Sequence, residues 1–288
     1  MKNPNNIVEW WNSIVDFEEK DLDDELINRL LRWKEIRRNL EGVNTILDIG
    51  GATGTFSIPL AREGFEVTHV DISPSMLEVA REKAKGLPNI KFVEADACSL
   101  NMFQDKQFDL VLNMDGAISF SGNNAGKVIS ESCRVSKNKL IITASNKACM
   151  IATWINYSLK SFNKLSPAVY EMFENGYWSK TQFQENEEMV CSIPMFKAYS
   201  PKEIEEELIT NGMKVKLSRS IGTLSHFFLM HLRNTEMKIS EIESEVLNHF
   251  IDLCERYDEE IMPNGPGSFR RSGIIAVAET GDRQGSFA

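Results

Sequence analysis

The sequence predicts an α/β fold: a seven-stranded, mostly parallel sheet with helices on both faces. Three observations predict it. From residue 45 onward, short apolar runs of strand length alternate with helical stretches, the rhythm of βαβ units. The first of these runs ends in a turn of small residues, Gly50–Gly51–Ala52–Thr53–Gly54; such residues let the backbone take positive φ and approach a ligand closely. The composition, 42% hydrophobic and 26% charged over 288 residues, is that of a chain able to bury a core.

Taken in order, residues 22–40 place Leu22, Leu26, Leu30, Trp33 and Leu40 on one helical stripe. Acids gather at its start and bases at its end, as the helix dipole favours. Residues 1–40 are expected to form N-terminal lid helices. The strand runs that follow are TILDIG at 45–50, FEVTHVDI at 65–72, KFVEA at 91–95, FDLVLNMD at 108–115 and KLIITAS at 139–145. Helices are predicted from Ser73–Pro74 and near 123–136, so 41–146 reads as the core domain. The rhythm then breaks. Residues 147–199 carry Trp154, Tyr157, Phe162, Tyr170, Phe173, Tyr177, Trp178 and Phe183, and read as an inserted helical and aromatic cap. The core resumes over 200–280. Ser200, Pro201 and Glu203 supply an N-cap, an N1 proline and a capping box, and Gly212 ends that helix. MKVKLSRSI at 213–221 and SGIIAVAE at 272–279 complete the strands. Between them an inserted helix at 240–262, opened by Ser240 and Glu243, has the apolar stripe Ile242, Val246, Phe250, Leu253, Tyr257, Ile261. The tail 281–288 is expected to be disordered.

A formal net charge of −10 makes nucleic acid a poor partner, since an acidic surface repels phosphate. Five dispersed cysteines without a C-x-x-C pair argue against a disulfide framework and a zinc site. The absence of an apolar leader or of any apolar run of 18 residues points to a cytoplasmic chain that does not enter the membrane. Association into a homodimer stays open.

The turn narrows the chemistry. A dinucleotide site wants glycines at the first, third and sixth positions, but from Gly50 those positions hold Gly50, Ala52 and Thr55. ILDIGGATG at 46–54 instead resembles motif I of class I S-adenosylmethionine-dependent methyltransferases, D-x-G-x-G-x-G, with Ala52 replacing the middle glycine. The resemblance continues through VTHVDIS, SPSMLEVAREKA, VEADA and FDLVLNMDGAISF, covering 45–145 with weaker agreement to 222 and at 270–280. It implies a Rossmann-like fold whose last strand is antiparallel, and S-adenosylmethionine as cofactor. The cofactor would be held by Asp48, Gly50, Gly51, Ala52 and Gly54 in the turn. Asp71, 21 residues after Gly50, would accept the ribose hydroxyls beside Ile72. Met76 would cover the adenine, Asp96 would receive its amino group, Ala97 would flank the ring, and Asn113 would sit by the transferable methyl.

For the acceptor, Asp115 at a strand end and His226 after the sixth strand are candidates for a catalytic base. Tyr177, Trp178 and Trp11 are candidates to line its pocket, and the expected acceptor is a small molecule carrying O or N. NMDG at 113–116 lacks the Asn/Asp-Pro-Pro-aromatic pattern of base-methylating enzymes. TASNK offers only Asn146 where catechol-type enzymes place a metal-binding Asp-Asn pair, so no metal is expected. A dinucleotide-dependent oxidoreductase and a non-catalytic adenosyl-binding protein of the same fold are the alternative readings.

Overall fold

The computed structural model describes residues 6–18, 23–114, 116–180, 193–232, 241–268 and 273–281. Three N-terminal helices, α1 (Ile7–Ser13), α2 (Val15–Glu18) and α3 (Asp23–Arg38), precede β1 (Thr45–Ile49). Then come α4 (Ser57–Arg62), β2 (Glu66–Asp71), α5 (Pro74–Lys83), β3 (Ile90–Glu94) and β4 (Phe108–Asn113). A 3₁₀ segment (Ser119–Asn124) leads into α6 (Ala125–Val135) and β5 (Ser136–Ala144).

The insertion is α7 (Lys147–Phe162), α8 (Pro167–Asn175) and an antiparallel pair, β6 (Tyr177–Ser179) with β7 (Met195–Lys197). It is therefore not wholly helical, and the stretch at 177–178 is strand. The core resumes with α9 (Pro201–Thr210), β8 (Met213–Ser220), α10 (Thr223–Leu232), α11 (Ser244–Arg256) and β9 (Ile274–Thr280).

The sheet has seven strands in the order β3-β2-β1-β4-β5-β9-β8. The first five pair in parallel, and β9 runs antiparallel to both its neighbours. The chain passes β1 to β2 to β3 in one direction and then returns to β4 on the other side of β1. Ligands of open α/β sheets bind at such a reversal, outside the carboxyl ends of the strands.

One apolar layer under the sheet holds Ile27, Leu31 and Ile36 of α3 with Leu60 of α4 and Ile251 of α11; the other holds Val128 and Ile129 of α6 with Ile204 and Leu208 of α9. Every residue of β4 is buried, as expected of a strand covered on both faces. The capping box of Ser200 and Glu203 forms as the sequence predicts.

Two helical stripes are displaced from prediction. On α3 the fully buried side is Ile27, Leu31 and Ile36, while Leu26, Leu30, Trp33 and Leu40 are only partly covered; Leu22 lies outside the described residues. On α11, Val246 and Leu253 are each 55% exposed and Ile261 63%, whereas Ile251 and Cys254 face inward. Ion pairing explains the rotation. Glu255 is buried where Arg38 grips it at 2.6 and 2.9 Å and Lys34 reaches it at 2.8 Å, and an inward Glu255 fixes which side of α11 meets α3. The 240–262 helix also ends earlier than predicted, in a π-helical turn over Tyr257–Ile261, and Ser240 is outside the described residues. Among the described residues no helix is long and apolar enough to cross a membrane. Of the predicted tail, only residue 281 is described.

Candidate active site

The turn after β1 is set by hydrogen bonds to β2. Gly50 and Gly51 donate to the Val70 carbonyl at 2.8 and 3.1 Å. Gly50 (φ +71°) and Gly54 (φ +91°) take left-handed backbone that glycine adopts without strain. Gly51 is required for a different reason: a Cβ there would lie 2.4 Å from the His69 ring. Ala52, the departure from the motif, sits at φ +47° with a side chain attached.

Its amide has a specific partner. Ala52 N–H donates to Asp71 Oδ2 at 2.8 Å, and Ser73 N–H donates to Oδ1 at 2.8 Å. The Asp71 carboxylate is thus oriented by two backbone donors at the end of β2. Burial pushes its pKa up to about 6, although the amides of Ser73, Ala52 and Ile72 pull the other way.

Beneath the turn, Ser57 Oγ donates to Asp48 Oδ2 and lies 2.7 Å from His69 Nδ1. Burial holds His69 down at about 4, so its imidazole is neutral at pH 7. The ring fills the space that Gly51 leaves and supports the turn from inside the sheet, consistent with a structural histidine.

These elements open onto a cleft. Asp48, Gly50, Gly51, Ala52, Asp71, Ile72, Met76, Asp96 and Ala97 line one side, so nine of the predicted cofactor residues are brought together. Trp11 of α1 lines the other side. Ser73 ties α1 to α5: its Oγ accepts from Met76 N–H at 3.2 Å and donates to Asn12 Oδ1 of α1 at 2.6 Å. Asp96 is exposed, and its Oδ1 accepts from Cys98 N–H at 2.8 Å.

Other predicted residues lie elsewhere. Gly54 borders a neighbouring polar recess with Thr53, Arg62 and Lys83. Asn113 is fully buried and turns towards α6, where Nδ2 donates to Ser132 Oγ at 3.0 Å. The alternation of side chains along β4 gives its place in the cleft wall to Met114. His226 lies on α10, half-buried beside the Phe227 ring, and is not among the residues lining the cleft. Tyr177 and Trp178 do not line it either. Trp178 is 2% exposed and packs edge-on against Trp154 in the insertion's own core, with centroids 5.7 Å apart. Asp115 lies outside the described residues.

The residues that prediction missed are Ile7, Met114, Ala117, Phe120 and Met195 in the cleft wall, and Glu18 and Arg29 towards the recess. Phe120 was findable, because it follows the carboxyl end of a parallel strand. Met195 carries no sequence signal; only the β6–β7 pairing brings it in.

Comparison with known proteins agrees with this fold. The sequence profile of the methyltransferase-domain family matches residues 46–139. The architecture is Rossmann-like, and the expected fold and antiparallel last strand are both present.

The chain is 34% identical over 147 residues to the ubiquinone/menaquinone biosynthesis C-methyltransferase of Haemophilus ducreyi, covering 46% of this chain and 54% of that protein. It is 34% identical over 111 residues to the chloroplastic magnesium protoporphyrin IX methyltransferase of Arabidopsis thaliana, covering 38% and 35%. A solved methyltransferase of Methanosarcina mazei superposes with a TM-score of 0.52 at 19% identity, covering 85% of this chain and 96% of that one; this shows the shared fold. The chain spans about a quarter to a half of the length of the curated relatives it matches.

Proposed function

We propose that this chain transfers a methyl group from S-adenosylmethionine to a small-molecule acceptor by direct in-line displacement, releasing S-adenosylhomocysteine. The observation that carries this reading is Asp71: a buried carboxylate at the switch point of the sheet, held by two backbone amides and facing the cleft. A carboxylate so placed accepts hydrogen bonds from vicinal hydroxyls, the recognition element of a ribose. The domain match and the methyltransferases among the relatives support the same donor.

S-adenosylmethionine supplies an electrophilic methyl on a sulfonium. The chain's residues hold and orient it. The Gly50–Ala52 backbone would receive its amino-acid part, Met76 and Ala97 would flank the adenine, and Asp96 would accept from the adenine amino group. The acceptor's lone pair forms the new bond to the methyl carbon as the carbon–sulfur bond breaks, and the acceptor's proton leaves to a base or to water. Orientation of two reactants in a closed cleft is where such a site gains most of its rate. Asp115 remains the proposed base, being next to the cleft-lining Met114. His226 in that role would require α10 to shift, and Tyr177 and Trp178 would act on the acceptor only by shaping the insertion. We read the transfer as independent of metal and the partner as a metabolite, not a nucleic acid, in keeping with the net charge of −10. The described cysteines, Cys98, Cys133, Cys149 and Cys254, are all free, which suits a cytoplasmic location.

Isothermal calorimetry with S-adenosylhomocysteine and with NAD tests the donor. Tight one-site binding of the former and none of the latter is expected; the reverse result favours the oxidoreductase. Turnover of labelled S-adenosylmethionine across a metabolite panel then separates an enzyme from a non-catalytic binding protein.

A further inference from the structure

Beyond the residues proposed for the cofactor, the cleft has an apolar stretch of Ile7, Trp11, Met114, Ala117, Phe120 and Met195; Ser121 and Asn124 lie beside it, and the charged Glu18 and Arg29 also border the neighbouring recess. Three separate segments meet there: α1, the run after β4, and β7. The aromatic part is rigid. Trp10 stacks on Phe120 with centroids 5.1 Å apart and planes at 21°, while Trp11 and Phe196 meet it edge-on at 5.1 and 5.3 Å.

Two glycines let the wall close up. A Cβ on Gly116 (φ +137°) would lie 3.2 Å from the Trp11 indole, and one on Gly122 (φ +54°) would lie 3.0 Å from Met195 Sδ. The indole and the thioether are therefore seated against bare backbone. The nearby Ser121 hydroxyl is spent on the Ala117 carbonyl at 2.6 Å.

We infer that this wall is the acceptor subsite and that the group to be methylated is carried on an uncharged, flat aromatic ring. The inference rests on the methyl-transfer reading above. Fixed aromatic edges and faces favour offset and edge-to-face contacts with a flat ring, and a thioether adds favourable contact with an arene. Side chains already immobile lose little freedom when a ligand arrives. The two charged alternatives fit less well. An anion would lose its hydration against an apolar wall. A cation would find aromatic faces but would share the cleft with a positive sulfonium.

The test titrates 2-naphthol, choline and benzoate separately into protein saturated with S-adenosylhomocysteine, read by calorimetry. Naphthol is expected to bind at least tenfold more tightly than either charged probe. Phe120→Ala and Trp11→Ala should weaken naphthol at least tenfold while leaving S-adenosylhomocysteine affinity within twofold, and Trp11→Phe should restore most of the loss. Choline or benzoate binding as tightly as naphthol overturns the inference. So does a Phe120→Ala protein that keeps both affinities. Should Phe120→Ala also lose S-adenosylhomocysteine, the Trp11→Ala and Trp11→Phe pair decides. Failure of the parent chain to bind S-adenosylhomocysteine at all is a different outcome, and it sinks the methyl-transfer reading itself.

Discussion

The turn at residues 50–54 and the insertion at 147–199 both contribute to the mouth of the sheet, but by different physics. In the turn, hydrogen bonds decide everything: Gly50 and Gly51 to Val70, Ala52 and Ser73 to Asp71. In the insertion, volume decides. Cys149, Met150, Trp154, Met172, Trp178 and Phe196 pack into a small core of their own, separate from the two layers on the sheet. The first region is sensitive to the direction of a few atoms and the second to how much apolar bulk it contains. Mutations should therefore separate cofactor affinity from stability.

Trp178→Ala tests the separation most severely. Removing a buried Trp costs about 3–5 kcal/mol, so denaturant or thermal melts should show a large loss while S-adenosylhomocysteine affinity stays within twofold. A parallel collapse of affinity would mean the two regions act as one body. Asp71→Ala is the mirror image. Hydrogen bonds to a charged group are worth roughly 1.5–3 kcal/mol each, so losing the pair to ribose should weaken S-adenosylhomocysteine about a hundredfold or more by calorimetry. Unchanged affinity would remove Asp71 from the site.

The pH dependence of Asp71 sharpens the same contrast, because binding and stability respond with opposite sign. Its pKa is raised by burial from an ordinary value near 3.8 to about 6. Its contribution to stability is therefore fully present below about 3.8 and is lost as pH rises through about 6. Ribose binding needs the ionised form, so S-adenosylhomocysteine affinity should fall by up to about tenfold per pH unit below 6. A flat affinity profile from pH 7 to 5 contradicts this. The smallest expected effect is at Ala52. Left-handed backbone costs a residue with a Cβ roughly 1–2 kcal/mol, partly offset by the entropy cost of glycine. Ala52→Gly should thus raise stability by up to about 1 kcal/mol and keep cofactor binding, whereas Ala52→Leu should block the cleft. A Leu variant that folds and still binds would place the turn away from the ligand.

How legible each region was in the sequence follows the same division. Turn chemistry is local. Positive φ, the capping Ser73 and the strand-end Asp71 are all written within a few residues of where they act, and nine of the eleven residues proposed for the cofactor line one cleft. Asn113 was misplaced by a single residue of strand alternation, which exchanges core for cleft. Of the apolar lining, Trp11 was read from the sequence, but Phe120 and Met195 were not, because they come from distant segments and meet only after the sheet and the β6–β7 pair have formed. Aromatic density in the insertion signalled packing; nothing in composition distinguishes a ring buried against Trp154 from one that lines a pocket. The α11 stripe held only in part: Ile242 and Phe250 pack against the core while Val246 and Leu253 are exposed, and a buried Glu255 paired with Arg38 and Lys34 shares the inward side.

The position of β9 has a consequence for how the molecule is made. Residues 274–280 pair with β5 on one side and β8 on the other. During synthesis from the N-terminus, every other strand leaves the ribosome first, so β5 and β8 must wait with one ladder each unfilled. Unpaired edges invite adhesion to other chains, and pairing across so long a stretch of sequence is slow. The nascent protein is thus expected to be most vulnerable to aggregation just before its seventh strand emerges. A chain truncated before residue 273 should be captured by chaperones or precipitate, although every residue of the cofactor side is already present.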